Sequence, residues 1–477
     1  MTRDRAGRMT VVGLSIALVV LLVLSMGVTV AASGDIPILT SNDDPEPSKH
    51  LIDPSLNDVE GEVEAVVVFE GPTPEILRTA TSPRSLLEHH GEPYFERLEA
   101  LVRSDPGLEL EDTHWIATAA TVTVDTEQTP VATLATLQGV LTVEKSSTFD
   151  LGRTGPPDGP DRGDASSDSY TYGLTQANIP SAWEAFNTRG EGTSIAILDT
   201  GIDAAHLDID VHRWKDFGDD PSEVPVDYGD HGTHVAGTAV GGDESGTAIG
   251  VAPNARLYVG AVLTDCGESY CHGTTSQIIS GMEWAVEADA DVISLSLGAN
   301  GHSLAYLQSV QNIHATGTTI VAATGNDGED TITSPGNIYD VISVGAVQED
   351  DRVWYWSGGG EIDVEATWGS NAPDHWPDAY LAPDVTAAGF NVFSALPDGE
   401  YGYKTGTSMA APHVAGVVAL MQSATDRQLD PEEIRQLLSG TAHHPAGPGT
   451  QPDADYGGGI VDAMAAIDIA ITSEPIE

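Results

Sequence analysis

The stretch Gly406-Thr-Ser-Met-Ala-Ala-Pro-His-Val-Ala-Gly416 constrains this chain more than any other. A serine set among small residues opens an apolar run, Val414 to Met421, that reads as a buried helix. Pro412 falls within the first turn or so, where a missing N–H costs little. A helix that begins at a serine turns free backbone N–H groups and the positive end of its dipole toward the hydroxyl. Such a place suits a nucleophile whose reaction creates an oxyanion, and it equally suits an ordinary capping serine. The two readings part on whether the chain also supplies an aspartate, a histidine and an oxyanion donor.

It supplies all three. Ser194-Ile-Ala-Ile-Leu198 is apolar in the main, as a parallel strand covered on both faces is, and it runs into Asp199-Thr-Gly-Ile-Asp203. A carboxylate at the C-terminal end of such a strand lies where α/β sheets put their sites. Asp230-His-Gly-Thr-His-Val-Ala-Gly-Thr238 sets His231 at the start of a small-residue helix. Thr318-Thr-Ile-Val-Ala-Ala-Thr-Gly-Asn326 is a further strand with a polar end, although an Asn before Asp-Gly reads by itself as a turn residue. Residues 256–262 and 291–298 add strands and 276–288 a helix, so the expected class is α/β with a mainly parallel sheet.

From Tyr172 to Ile469 these blocks resemble the motifs of the subtilisin-like serine peptidases (subtilases), in the order Asp, His, Ser. The resemblance implies a three-layer subtilisin-like fold and peptide-bond hydrolysis. It assigns catalysis to Asp199, His231 and Ser408, with Asn326 and the backbone N–H of Ser408 as oxyanion donors, and sets His234 beside the base. It also implies that Ser296, Leu297 and Gly298 pair with the substrate backbone while Ala323, Thr324 and Gly325 line the site. Ala322, Ala323 and Gly298 suggest a roomy, apolar primary pocket and broad specificity. No cofactor is expected for the chemistry. Asp208 matches a family calcium ligand, but the loop from Gly242 to Ala248 offers Asp243 and Glu244 where an asparagine is usual, so a structural calcium stays open. The alternative of another class is a catalytically silent subtilase-like binding protein, which would normally lack a catalytic residue.

Ahead of this body the chain is organised for export. Arg3, Arg5 and Arg8 precede an uncharged stretch, and Val30-Ala-Ala-Ser33 supplies small residues fit for cleavage. Residues 1–33 are therefore a signal peptide, or a signal anchor, since the apolar run is just long enough to span a bilayer. Residues 34–57 form a polar linker. Residues 58–150 show strand and helix patterns in a β-α-β-α-β order: Val63 to Phe69, Pro83 to Val102, Glu109 to Val124, Glu127 to Leu137 and Val140 to Glu144. By position this small α+β unit resembles the family's inhibitor-type propeptide. Residues 151–171, rich in Pro, Gly and Asp, are the processing linker, 172–470 the peptidase domain, and 471–477 a short tail with no further domain expected. Asp430-Pro-Glu-Glu433 marks a late helix start.

Charge narrows the partners. The 477 residues carry 73 Asp and Glu against 19 Lys and Arg, a formal net charge of -54. That field repels nucleic acid and anionic membranes and leaves protein or peptide substrates, and the chain's own propeptide, as the expected partners of a monomer. At molar salt the screening length is about 3 Å, so such a surface costs little there. The pattern resembles secreted haloarchaeal-type subtilases. Cys266 and Cys271, the two cysteines, read as a small loop-closing disulfide in an exported chain; the spacing does not favour zinc. Trp354, Trp356, Trp368 and Trp376 mark residues 354–378 as an insertion, either packed on the surface or forming a substrate rim.

Overall fold

A computed structural model describes residues 51–151, 169–267 and 270–473, without the side chains of residues 74 and 75. The expected signal segment, most of the 34–57 linker and nearly all of the processing junction lie outside the described residues. Among the described residues no helix is long and apolar enough to cross a membrane.

The N-terminal module runs β1 (Glu62–Phe69), α1 (Pro74–Thr79), α2 (Pro83–His90), α3 (Glu92–Ser104), β2 (Leu108–His114), β3 (Ala119–Asp125) and β4 (Val140–Lys145). Its strands form one antiparallel sheet in the order β2-β3-β1-β4. This corrects the expected element order in three places. The pattern from 83 to 102 is two helices, broken at Gly91, because Pro93 cannot continue a helix and instead restarts one. The Thr- and Val-rich run from 109 to 124 is a hairpin folded through 115–118. Residues 127–137 hold only a 3-10 segment, Val131–Thr136. The run Ala65 to Phe69 is apolar throughout because the sheet is covered on both faces. Ala65, Val67 and Phe69 pack with Leu98 and Leu134 of the module, while Val66 and Val68 join a core that belongs to the second part of the chain.

After β5 (Thr148–Asp150) that second part begins with α4 (Tyr172–Gln176) and α5 (Ile179–Phe186). Then come β6 (Ser194–Asp199), β7 (Val211–Asp216), α6 (His231–Val240), β8 (Arg256–Ala261), β9 (Asp265–Cys266) and β10 (Cys271–Thr274). They are followed by α7 (Thr275–Glu287), β11 (Val292–Leu295), α8 (Leu304–Ala315), β12 (Thr319–Ala323) and β13 (Ile342–Val347). Next are β14 (Gly360–Asp363), α9 (Val364–Thr367), β15 (Ala379–Ala382), β16 (Val385–Ala388), β17 (Val392–Leu396) and β18 (Glu400–Lys404). The chain closes with α10 (Thr407–Ala424), α11 (Pro431–Thr441) and α12 (Ala463–Thr472).

Seven of these strands make a wholly parallel sheet in the order β16-β13-β12-β11-β6-β8-β7. Alternation decides the layers: Ile195 and Ile197 face a core with α6, α10, α11 and α12, and Ala196 and Leu198 face one with α7 and α8. Three layers result, as expected. The order also reverses at β6. Later strands add β7 and β8 on one side, then β11, β12, β13 and β16 on the other, so a crevice opens beyond the C-terminal ends of β6 and β11.

The tryptophan-rich stretch is mostly packing. Trp354, Trp368 and Trp376 are buried, Trp376 Nε1 donates to Asp340 at 3.0 Å, and of its Trp and Tyr side chains only Tyr355 and Trp356 stand exposed. Cys266 and Cys271 form a disulfide that closes the β9–β10 hairpin.

Candidate active site

Asp199 ends β6 at the crevice and is wholly buried. Its carboxylate accepts from Thr200 N at 2.7 Å and from His231 Nδ1 at 2.8 and 3.0 Å. His231 is the first residue of α6, so its ring is held where that helix meets the strand end. With Nδ1–H committed to the carboxylate, Nε2 carries the lone pair, and this buried atom has no partner among the described residues. That is the acceptor a general base needs.

A clamp with no signature in the sequence fixes the helix start. Asp227 accepts from Thr200 Oγ1 at 2.6 Å and from Thr233 N and Oγ1 at 2.9 and 2.5 Å, while Thr200 Oγ1 accepts from Gly232 N at 2.9 Å. Burial pushes the Asp227 carboxyl up from its ordinary value, against these hydrogen bonds. A side chain at Gly232 would strike the carbonyl of Gly201, so a glycine is required there. His234 Nε2 lies 2.9 Å from the Val392 carbonyl, and burial drives its pKa far down, leaving it a neutral packing group.

Ser408 is the second residue of α10, where helical N–H groups have no partner within the helix. Pro412 stands at the sixth position and not in the first turn, which corrects the expectation for it. A residue there would normally donate to the carbonyl of Ser408, and proline cannot. Ser296 Oγ replaces the missing donor, at 2.8 Å from that carbonyl. Ser408 Oγ in turn donates to Ser296 O at 3.2 Å and makes no bond to His231. A hydroxyl not yet bonded to its base is a common state of unliganded sites.

Asn326 lies beyond β12, almost fully buried. Its Oδ1 accepts from Thr407 N at 2.9 Å and Thr407 Oγ1 at 2.8 Å, which turns the Nδ2 donor into the crevice. There Nδ2 meets the carbonyl of Leu151 at 3.4 Å. The chain leaving the N-terminal module thus runs through the site. Thr148–Asp150 pairs antiparallel with Cys271–Thr274 on one side, and Asp150 exchanges two backbone bonds with Gly298, at 3.1 and 3.2 Å, on the other. Phe149 is buried against Tyr306, ring centroids 5.1 Å apart.

Of the remaining expected site residues, Ser296, Leu297 and Ala323 are buried, and Thr324 is wholly so, with Oγ1 donating to Gly358 O at 2.9 Å. Gly325 N meets Thr407 Oγ1 at 3.2 Å, tying that segment to α10. Asp208 lies elsewhere. Its Oδ1 accepts from Glu244 N at 2.8 Å and its Oδ2 from the Tyr401 hydroxyl at 2.7 Å. Among the described residues no group of three or more His, Cys, Asp or Glu is placed to hold a metal, so a structural calcium at Asp208 would draw its other ligands from carbonyl and amide oxygens.

A family model described as the subtilase family matches residues 190–459. The chain belongs to that family of serine endopeptidases. It is 36% identical over 288 residues to subtilisin DY of Bacillus licheniformis, covering 59% of this chain and 93% of that one. It is 34% identical over 303 residues to subtilisin E of Bacillus subtilis (strain 168), covering 62% of this chain and 71% of the other. A thermophilic serine proteinase of Bacillus sp. (strain AK1) is 36% identical over 285 residues, which are 59% of this chain and 64% of that relative. The structure joins Asp199 to His231, at the end of β6 and the start of α6, and Asn326 to Thr407, beside Ser408 at the start of α10.

Proposed function

We propose that this subtilase is exported as a self-inhibited precursor, cuts its own junction within residues 151–171, and then hydrolyses protein or peptide substrates in salt-rich surroundings. Ser408 Oγ attacks the scissile carbonyl as His231 Nε2 takes its proton. Asp199 holds the imidazole in the Nδ1–H form and stabilises the imidazolium. The oxyanion forms between Ser408 N–H and Asn326 Nδ2. His231 returns the proton to the departing amine, and water repeats the sequence on the acyl-enzyme.

The observation that carries this reading is the contact of Asn326 Nδ2 with the Leu151 carbonyl, at the end of a strand already threaded between Gly298 and Cys271–Thr274. The N-terminal module therefore acts as a tethered inhibitor that delivers its own substrate. Its docking is polar as well as apolar: Glu144 caps α8 through Ser303 Oγ and Leu304 N, and Glu283 of α7 accepts from Ile116 N at 3.0 Å. The charge of -54 supports salt adaptation, since repulsion among exposed carboxylates is screened over about 3 Å at 1 M salt. Calcium has no step in this scheme.

The test compares wild type with Ser408→Ala, both secreted into molar salt, by intact mass and casein hydrolysis. The wild type should shed everything up to the 151–171 junction, and Ser408→Ala should stay full length apart from signal removal and show no hydrolysis. Equal processing of both would mean that another peptidase does the cutting, and self-maturation would be abandoned. Full wild-type activity in dilute buffer would remove the salt-adaptation part alone.

A further inference from the structure

Beyond the general peptidase reading, on which it rests, the structure bears on which residue this site accepts next to the cut bond. The carbonyl under attack must lie between Ser408 N–H and Asn326 Nδ2. The residue that carries it therefore sits across the gap between two segments, 296–298 after β11 and 323–326 at the end of β12. The first is tied to α10 through Ser296 and the second through Asn326. Its side chain can enter only that gap. Glycines at 298 and 325 keep the walls bare, which by itself would make a deep slot and fits the roomy pocket expected from the sequence.

Thr333 fills it. A Cβ placed on Gly298 would overlap Thr333 Oγ1 and lie 2.7 Å from Thr333 Cβ, and one placed on Gly325 would lie 3.0 Å from Thr333 Cγ2. The threonine therefore stands between the two bare walls, with Oγ1 against Gly298 and both Oγ1 and Cγ2 against Gly325. Its backbone is pinned, N donating to Thr324 O at 2.9 Å and O accepting from Asn337 N at 3.0 Å. Oγ1 adds a bond to the same Thr324 carbonyl at 3.3 Å. A β-branched side chain on a pinned backbone has little freedom to swing clear.

The register of the bound strand leads to the same kind of residue. Asp150 and Gly298 form a mutually bonded antiparallel pair, so the second residue after the one paired with Gly298 comes opposite Ser296. Ser296 is the residue whose carbonyl holds Ser408 Oγ. In this chain the second residue after Asp150 is Gly152, which has no side chain to place. The long 3.4 Å contact of Asn326 with Leu151 fits a carbonyl one residue short of the reacting one.

We propose that Thr333 limits the pocket on the acyl side of the scissile bond to glycine, alanine and serine, and that the chain's own cut falls between Gly152 and Arg153. Each methylene a closed pocket rejects is worth about 10- to 200-fold in kcat/KM. Two measurements test this. Peptide p-nitroanilides differing only in the last residue (Gly, Ala, Leu, Phe) should be cleaved by the wild type at least about tenfold faster with Ala than with Phe. Thr333→Gly should reverse that order, and Thr333→Ala should fall between, which keeps the test open if the glycine variant folds poorly. A wild type that prefers Phe or Leu, or variants that keep the wild-type ratio, would overturn the assignment. The mass of the released N-terminal module should place its last residue at Gly152; Leu151 or any other end refutes the register. A wild type that cleaves neither these peptides nor casein would instead refute the peptidase reading.

Discussion

The two parts of this molecule are stabilised in opposite ways. In the second part the parallel sheet is covered on both faces by helices of its own, and the side chains of Asp199, His231 and Ser408 are held by bonds that stay within that part. In the N-terminal module one face of the sheet is covered by α3, and Leu77 of α1 and Leu87 of α2 only begin the cover of the other. The other face, with Val66, Val68 and Ile116, finishes its core against α7 and α8. The module is therefore completed by docking, while the peptidase part is complete without it. The proposed precursor would need this inequality, because its inhibitor would have to become the expendable partner once the junction is cut. At about 25 cal/mol per Å² the apolar face favours docking strongly, so something must make release possible.

Asn326 lies on the boundary of this comparison, since its Oδ1 is held by Thr407 and its Nδ2 reaches toward Leu151. Asn326→Ala should separate the two roles. Turnover on a peptide substrate is expected to fall by about 10²–10³, the loss that removal of the oxyanion asparagine causes in subtilisin, carried over here by family membership. Inhibition by the module should weaken far less, by about 2- to 13-fold, because one neutral hydrogen bond contributes about 0.5–1.5 kcal/mol. Comparable losses in kcat and in module affinity would show that the amide serves the ground state as much as the transition state.

Release is where the docking carboxylates matter. Glu283 is enclosed by the 115–118 turn, and burial lifts its pKa to about 8, with Asp112 and Glu287 adding repulsion. Glu144 is raised by burial as well. A raised carboxyl pKa means that docking takes up a proton, so the docked state is favoured at low pH and loses ground as pH rises through the docked value. His114, lowered to about 4 by burial, would give the opposite slope below its ordinary 6.5. Above pH 6.5 it is neutral either way, and the slope there belongs to the carboxylates. Between pH 6.5 and 8 the lag before casein hydrolysis appears should shorten by up to about tenfold per pH unit. Glu283→Gln should flatten most of that dependence and lengthen the lag at pH 8. An unchanged slope would place the release trigger elsewhere.

These contrasts explain which parts of the molecule can be read from sequence. Strands covered on both faces announce themselves as short apolar runs, so β6, β8, β11 and β12 are legible, as are the residues at their ends. His231 and Ser408 stand out because helices that begin in the crevice are built of small residues. Features made by long-range contact leave no local trace. Nothing in the order of residues links Asp227 to Thr200 and Thr233, Ser296 to the carbonyl that Pro412 leaves free, or Thr333 to two glycines in other segments. The hairpin at 108–125 reads as one strand because its turn, Trp115-Ile-Ala-Thr118, holds no Gly, Pro, Asn or Asp to mark it. Trp376 reads as part of a surface insertion because its partner, Asp340, lies 36 positions away.

The disulfide offers the finest test of the comparison, because it serves the edge on which module and peptidase part meet. Cys271 pairs with Cys266 across the hairpin, and the same strand, Cys271–Thr274, receives Thr148–Asp150. Cys271 Sγ also lies against Gly229, so that a Cβ there would sit 3.0 Å from it, two residues before His231. The bond thus joins the substrate-binding edge to the approach of the catalytic helix. Closing so short a loop stabilises by about 2 kcal/mol on a chain-entropy account. Replacing both cysteines by serine should leave the parallel sheet and the Asp199–His231 pair intact. The expected cost is a rise of about 2- to 13-fold in KM for peptides long enough to reach β10, following the 0.5–1.5 kcal/mol of one weakened backbone bond. Peptides that end short of that edge should show no change, and kcat should hold for both. Equal loss on short and long peptides would mean that the disulfide supports the histidine and not the edge, and that the docking edge is as self-sufficient as the sheet behind it.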